Sequence, residues 1–228
     1  MSKPNKFKIT AFRAYENVTK SFEYLNGHRN VLEEHGLTQI TTANQSWISD
    51  KSVYCLILTD KFNNTLGGVR IHIKNEVTLL PLEESLISSG YDSELIRNSY
   101  YDFETCEICG LWNSKKISGM NYSVILAIAA YQVSLKLGIN RLLMFNAKST
   151  FRITINLGFQ IIRELGDFGA INYPTPAFQS YVWTKQRKQS SMVTPYTKFF
   201  SELAFKREMR IQESYHSKDS ILNVQSYA

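Results

Sequence analysis

The sequence predicts one α/β domain with a central mixed, twisted sheet flanked by helices, and three observations predict it. Two β-forming runs, SVYCLILTD (52–60) and VRIHIKNEVTLLP (69–81), flank the turn FNNTLGG and read as an antiparallel hairpin. YDFETCEICGLW (101–112) is a strand that leads, through a short polar junction, into the long apolar run SVILAIAAYQVSLKLGI (123–139) and then the strand INRLLMFNA (139–147). A short helix, STFRITINLG, and a further strand and turn, FQIIRELGDFG, follow. Strands and helices that alternate in this way cover both faces of a sheet.

The remaining elements fit around that core. KFKITAFRAY (6–15) alternates as a strand does, and ENVTKSFEYLNGHRNVLEEHGL (16–37) carries Val18, Phe22, Leu25, Val31 and Leu32 at helical spacing, with Gly36 as its stop. The polar stretch TQITTANQSWISDKS precedes the hairpin. LEESLISSGYDSELIRNSY (82–100) is a helical or irregular excursion. From INYPTPAF (171–178) onward the pattern is weak until TPYTKFFSELAFKREMRIQESYHS (194–217), which reads as an amphipathic helix, with frayed residues after it. One domain over 1–228 is therefore expected, with a core of about 6–183 and a helical extension of about 194–216.

Composition narrows the function. The chain has 228 residues, 43% hydrophobic and 20% charged, an ordinary balance for a globular protein. A net charge of +6 favours anionic partners without naming one. MSKPNKFKIT has no apolar segment behind its basic start, so no signal peptide is expected and the cytoplasm is the simplest location. Gln132, Ser134 and Lys136 interrupt the longest apolar run, which reads as a buried helix and not a transmembrane segment. Three cysteines give no disulfide framework. Cys106 and Cys109 form a C-x-x-C, but residues three apart on a strand face opposite ways, and Cys55 and the four histidines supply no second pair with metal spacing, so no metal is expected. The basic runs TKQRKQ (184–189) and FKREMR (205–210) have no interleaved aromatic platform, so they read as solvated faces and nucleic acid is not an expected partner.

The junction GLWNSKKISGMNYS (110–123) carries the chemistry of an anion site. A helix start exposes unpaired N–H groups and the positive end of the dipole. Ser118 and Gly119 let that backbone come close, and Lys115 and Lys116 add charge; the bland alternative is a punctuating glycine between solvated lysines. Arg70 lies opposite the apolar face of its strand and suits a carboxylate through two parallel hydrogen bonds. Strand alternation puts Glu107, Cys109 and Leu111 on one face, where Glu107 either accepts a proton or pairs with Arg70. Asn146 contacts a ligand or caps the next helix. Trp47 is a platform or a core residue, and Asp50 a ligand or a turn former. Ile125, Ile128, Val133, Leu143 and Phe145 are core, or else wall a tunnel for a long apolar ligand.

Four segments in order, within residues 45–166, carry a family resemblance. LGGVRIHI resembles a "G-x-x-R-L" strand with Arg70 as its arginine. CEICGLW resembles an "E-x-x-R-hydrophobic" strand with Glu107 as its glutamate. KKISGMN resembles a "Q/R-x-x-G-x-G/A" loop through Lys116, Gly119 and Asn121, and FRITINLGF a short helix ending in "G-F/W" at Gly158 and Phe159. Together they resemble the GCN5-related N-acyltransferase superfamily, in particular its acyl-homoserine-lactone synthases and long-chain N-acyl amino acid synthases. The resemblance implies a GNAT-like fold and an N-acyltransferase. Its co-substrate would be an acyl-CoA or acyl-carrier-protein thioester of medium or long chain, and its acceptor the amine of a small molecule such as an amino acid. It assigns catalysis to Glu107 and donor binding to Leu111, Lys115, Lys116, Ser118, Gly119, Met120, Asn121 and Asn146. Acceptor binding falls to Arg70, Trp47 and Asp50. Gly110 stands where the family has an arginine, and Thr154 where many acetyltransferases have a tyrosine, so a non-catalytic binding module is the alternative.

Overall fold

The alternation of KITAFR makes β1 (Lys8–Arg13), after which Asn17 starts a helix by accepting the Lys20 N–H at 3.2 Å. The computed structural model describes residues 7–37, 40–101, 104–187 and 198, and strands at 210–213 and 220–223. Helix α1 (Val18–Glu34) stops at Gly36, whose φ is +69°. Two 3₁₀ turns, Thr41–Ala43 and Ser46–Ser49, occupy the polar stretch. The hairpin is β2 (Val53–Thr59) and β3 (Thr65–Ile73). At its tip Asp60 Oδ1 accepts the N–H groups of Phe62 and Asn64 at 2.8 and 2.9 Å. The excursion resolves into α2 (Pro81–Ser88) and α3 (Glu94–Tyr100).

Then come β4 (Thr105–Asn113), α4 (Tyr122–Lys136), β5 (Arg141–Ala147) and α5 (Phe151–Asn156), in the expected order. β6 (Gln160–Ile161), β7 (Ala170–Asn172) and β8 (Gln179–Gln186) follow, and β9 (Arg210–Glu213) and β10 (Ser220–Asn223) complete the sheet. Its order is β10-β9-β1-β2-β3-β4-β5-β8-β6, with β7 on β8. The β1–β9 and β4–β5 pairs are parallel and the others antiparallel, so the sheet is mixed.

Four sequence expectations are corrected. β8 lies in the stretch where the pattern is weak, yet it pairs with β5, β6 and β7; its signal was the β-forming run Tyr181-Val182-Trp183-Thr184. Residues 210–213, expected in the C-terminal helix, are a strand, because Ile211 to Glu213 find a ladder partner in Ile9 to Ala11. Of the frayed tail, Ser220–Asn223 pair with β9, while most of the expected helix lies outside the described residues. Within TKQRKQ, Lys185 is buried and not solvated: its Nζ donates to Leu157 O at 2.5 Å and lies 4.3 Å from the centre of the Tyr131 ring.

The sheet is covered on both faces. On one lies α4, buried on every side from Val124 to Ser134, against Ile9, Leu56, Val69, Ile71 and Ile108. On the other, α1 packs Tyr24 and Leu25 against Trp47, Cys55 and Trp112. Leu82 and Leu86 of α2 meet Leu143 and Val182 beside them. Ile125, Ile128 and Val133 are core residues.

Candidate active site

Two departures from regular pairing shape the centre of the sheet. The first is a β-bulge. Arg70 pairs with Cys109 but Gly68 with Trp112, so β4 carries one extra residue there. Gly110 takes φ +59° at this point, a conformation a side chain resists. A Cβ on Gly110 would also stand 2.3 Å from the Tyr24 hydroxyl, which donates to Gly110 O at 2.5 Å. The bulge flips the alternation: Cys109 lies beside Arg70, but Leu111 packs with the α4-side core and Trp112 with α1. The expectation that Leu111 shares a face with Glu107 and Cys109 is thereby overturned.

The second departure is a split. β4 and β5 pair only at Thr105↔Arg141, Cys106↔Leu142 and Glu107↔Leu143, although both strands continue. Beyond that rung a cleft of about 610 Å³ opens, lined by Glu107 to Leu111 on one side and Met144 to Ala147 on the other. Its walls include Phe145, Ile153 and Phe178, so of the residues considered for an acyl tunnel Phe145 lines it.

Glu107 lies at the point of the split. It is buried, and its Oε2 accepts the Leu82 N–H at the start of α2 at 2.8 Å. Burial raises its carboxyl to about 8. The Leu82 N–H and the Arg70 charge oppose that rise, while Glu83 and Glu84 add to it. The alternative ion pair between Glu107 and Arg70 does not form. Glu83 takes the local cations instead, with Arg97 at 2.8 Å and Lys74 at 3.9 Å.

Arg70 is fully buried and has no carboxylate partner among the described residues. Its Nη2 donates to Thr42 O at 2.9 Å, and the guanidinium lies 4.2 Å from the centre of the Trp47 ring. Nε and Nη1 have no hydrogen-bond partner, nor does His72 Nε2. Arg70 and His72 line a second cavity of about 640 Å³, with Trp47, Asp50, Val77 and Glu84 on its walls. Trp47 is a core residue whose Nε1 donates to Asn44 O at 2.7 Å. Asp50 forms a turn, with Oδ1 accepting from Ser52 N at 2.8 Å, and its Oδ2 accepts from Thr78 Oγ1 at 2.9 Å.

Thr41 lines both cavities. Its Oγ1 lies 2.8 Å from Ser85 Oγ and accepts from the Tyr173 hydroxyl at 3.0 Å; its N–H donates to the same hydroxyl at 2.7 Å. His28 of α1 also lines the cleft at the split, held near a pKa of about 3 by burial and by Arg70 and Arg29. Sequence reasoning missed Tyr24, His28, Thr41, Glu84 and Tyr173. Glu84 looked like an ordinary first-turn acid, and nothing local marks Tyr173 as a partner of Thr41.

The junction is built differently from its sequence reading. Lys115 to Ile117 form a 3₁₀ turn, Gly119 has φ +74° with open space where a Cβ would be, and Asn121 starts α4 at φ +62° without capping it. Asn113, with its amide oriented as its neighbours require, covers the Ser123 N–H at 2.9 Å. Ser118, Gly119, Met120 and Asn121 are exposed, and Lys115 stands 3.4 Å from Glu34. Lys116 and Met120 line a hollow of about 250 Å³ beside the hairpin tip, not the cleft. Leu111 and Asn146 do line the cleft. Asn146 does not cap α5, because Thr150 occupies that position; its Nδ2 donates to Thr154 Oγ1 at 2.6 Å and its Oδ1 is unpartnered.

Cys106 and Cys109 face opposite sides of the sheet, one beside Ser134 and the other beside Arg70, and all three cysteines are free. Burial pushes the Cys106 thiol up to about 12. Among the described residues no three His, Cys, Asp or Glu are grouped to hold a metal, and no helix is long and apolar enough to cross a membrane.

No family model and no curated protein matches the sequence. Solved structures do match. The CoA-dependent acyl-homoserine lactone synthase BjaI, solved with SAM and isopentyl-CoA, aligns at TM-score 0.57 and 10% identity over 92% of this chain and 94% of its own. FeeM, an N-acyl amino acid synthase from uncultured soil microbes, aligns at 0.58 and 12% over 86% and 98%. The AHL synthase LasI aligns at 0.57 and 12% over 80% and 90%. The chain has the fold of the GCN5-related N-acyltransferases.

Proposed function

We propose that this protein is an N-acyltransferase that takes an acyl group, of medium or long chain, from a CoA or acyl-carrier-protein thioester to the amine of a small molecule such as an amino acid. The end of the β4–β5 ladder at Glu107↔Leu143 carries this reading. It leaves two strand edges with unpaired backbone groups facing each other, and an extended pantetheine arm with its two amides can add there as a strand would. Asn146 lines the cleft and its Oδ1 is buried without a partner, so a turn of the side chain would offer one of those amides an acceptor. The apolar residues Phe145, Ile153 and Phe178 suit an acyl chain. BjaI with its isopentyl-CoA and FeeM with its N-acyl amino acid product share this fold and support the same reading.

The chemistry asks little of the residues. The amine nitrogen attacks the thioester carbonyl carbon, the C–S bond breaks, and the thiolate leaves to be protonated as the free thiol. Glu107 Oε1, the oxygen not held by Leu82, accepts the amine proton directly or through one water. N–H groups of β4 on the open side of the bulge meet the developing oxyanion. The acceptor occupies the 640 Å³ cavity on the Arg70 side. Incubating the purified protein with a panel of acyl-CoAs and acyl-carrier proteins plus amino acids tests the reading: acceptor-dependent release of free thiol is the expected result. No thiol release with any combination would sink it.

A further inference from the structure

Gly110 leaves a gap at the bulge, and three side chains close around it. A Cβ there would stand 2.3 Å from the Tyr24 hydroxyl, 3.5 Å from Arg70 Nε and 3.6 Å from His28 Cε1. Tyr24 and His28 are one turn apart on α1, with ring centres 6.0 Å apart, so one face of the helix reaches the bulge. That face continues along the cleft, whose lining includes His28, Leu32 and His35 together with Cys109, Gly110 and Leu111. The Tyr24 hydroxyl is engaged by Gly110 O, and one Arg70 nitrogen by Thr42 O. His28 has no hydrogen bond to any described residue.

The ring is 4% exposed. Its Nδ1 is sealed in the core without a partner, which leaves Nε2 as the nitrogen on the cleft side. A buried polar ring kept without partners costs free energy unless a ligand completes it. Burial, Arg70 and Arg29 hold its pKa at about 3, so it stays uncharged at neutral pH. A neutral imidazole still has one N–H to give.

From this we infer that His28 is a catalytic hydrogen-bond donor, its Nε2–H directed at the carbonyl oxygen of a thioester seated at the bulge. The inference rests on the acyl-transfer reading and adds a residue to it. As the amine lone pair adds to the carbonyl carbon, the C=O π pair moves onto oxygen, where Nε2–H and the bulge N–H groups meet the charge. When that pair returns, the C–S bond breaks; Glu107 takes the amine proton and His28 keeps its own. A neutral donor suits the role, since it polarises the carbonyl without an ion to desolvate. Gly110, lacking a side chain, leaves the way from the ring to the bulge open.

Nuclear magnetic resonance of the full chain with isotope-labelled histidine tests this without turnover. One probe is decanoyl-pantetheine with a methylene in place of the thioester sulfur, a ketone; the other is the matching thioether, which has no carbonyl. The ketone is expected to shift His28 Nε2 and its proton, and the thioether to leave both in place. Equal shifts with the two probes, a His28 proton found on Nδ1, or no binding of either probe overturns the inference. In turnover, His28→Phe keeps an aromatic ring and loses the donor. It is expected to lower kcat for acceptor-dependent thiol release by about 10²- to 10³-fold, with the donor KM little changed. His28→Gln, which restores a neutral N–H, should recover part of that loss. A folded His28→Phe protein with wild-type kcat overturns the inference and leaves acyl transfer standing. A shift specific to the ketone, with no thiol release from any donor and acceptor, upholds the carbonyl contact and counts against the transfer reading alone.

Discussion

Glu107 on β4 and Leu143 on β5 form the last rung at which the two strands stay in register, and the only buried carboxylate at the mouth of the split is on that rung among the described residues. The place where the ladder ends is therefore also the place where a buried carboxylate is held. Its backbone partner, the Leu82 N–H, ties it to α2, whose Pro81 and Glu84 line the second cavity.

Replacing Glu107 by Gln should keep the shape and lose the base. We expect acceptor-dependent thiol release to fall by roughly 10²- to 10⁴-fold with donor binding retained. In the wild type, kcat/KM should climb as pH passes through about 8, where the carboxylate forms, and Gln should remove that limb.

The same group makes a stability prediction of definite sign. Its folded pKa of about 8 lies above the ordinary carboxyl value, so its contribution is full below about pH 4 and is lost as pH rises through 8. Thermal denaturation from pH 5 to 9 should show the wild type losing Tm relative to Glu107→Gln. Parallel curves for the two proteins would refute the assignment.

Gly110→Ala should destabilise the fold by about 2 kcal/mol or more, since it adds a left-handed side chain and a contact with the Tyr24 hydroxyl. Tyr24→Phe removes that hydroxyl, at about 1 kcal/mol for the hydrogen bond to Gly110 O. In the double variant the alanine should cost less than it does alone. A denaturant-melt cycle giving strictly additive losses would mean that the two residues are not coupled.

Gly27 offers a test in which local propensity and packing disagree. Alanine in the middle of a helix ordinarily gains about 1 kcal/mol over glycine. Here a Cβ would stand 2.1 Å from the Trp112 ring, so Gly27→Ala should lower Tm. A rise would show that the indole can give way.

Arg70→Met should separate stability from function. Removing a buried, unpaired charge for an apolar side chain is neutral or stabilising by about 1–4 kcal/mol, against about 1 kcal/mol for the lost bond to Thr42 O. We expect a Tm no lower than that of the wild type, together with loss of amino-acid binding measured by calorimetry. A large drop in Tm would instead make Arg70 a structural residue.

Much of the fold was legible because its signals are local. Val69, Ile71 and Ile73 alternate with Arg70 and His72, the Asp60–Asn64 turn closes by short-range bonds, and α4 announces itself through an unbroken apolar run; each depends on neighbours a few positions away. β8 was missed because a strand gains its stability from partners, and the β5 residues along its whole length stand 33 to 45 positions earlier. The C-terminal segment failed for the same reason: residues 210–213 pair with β1 at the opposite end of the chain. The site divides along this line as well. Glu107 stands in the cleft and Arg70 beside the second cavity, whereas the loop lysines, which looked best by composition, stand outside the cleft.

The amino-acid order by itself determined which segments are strands and helices over the core, which ends carry glycine stops, and that a carboxylate and an arginine sit on adjacent central strands. Only the folded chain decided that the ladder stops at Leu143, that Gly110 turns the strand over so that Leu111 changes sides, and that Arg70 is left without a counter-ion. The physical reason is reach: these outcomes turn on contacts between Tyr24 and Gly110, 86 positions apart, and between Thr41 and Tyr173, 132 apart, and no window of local pattern spans such distances.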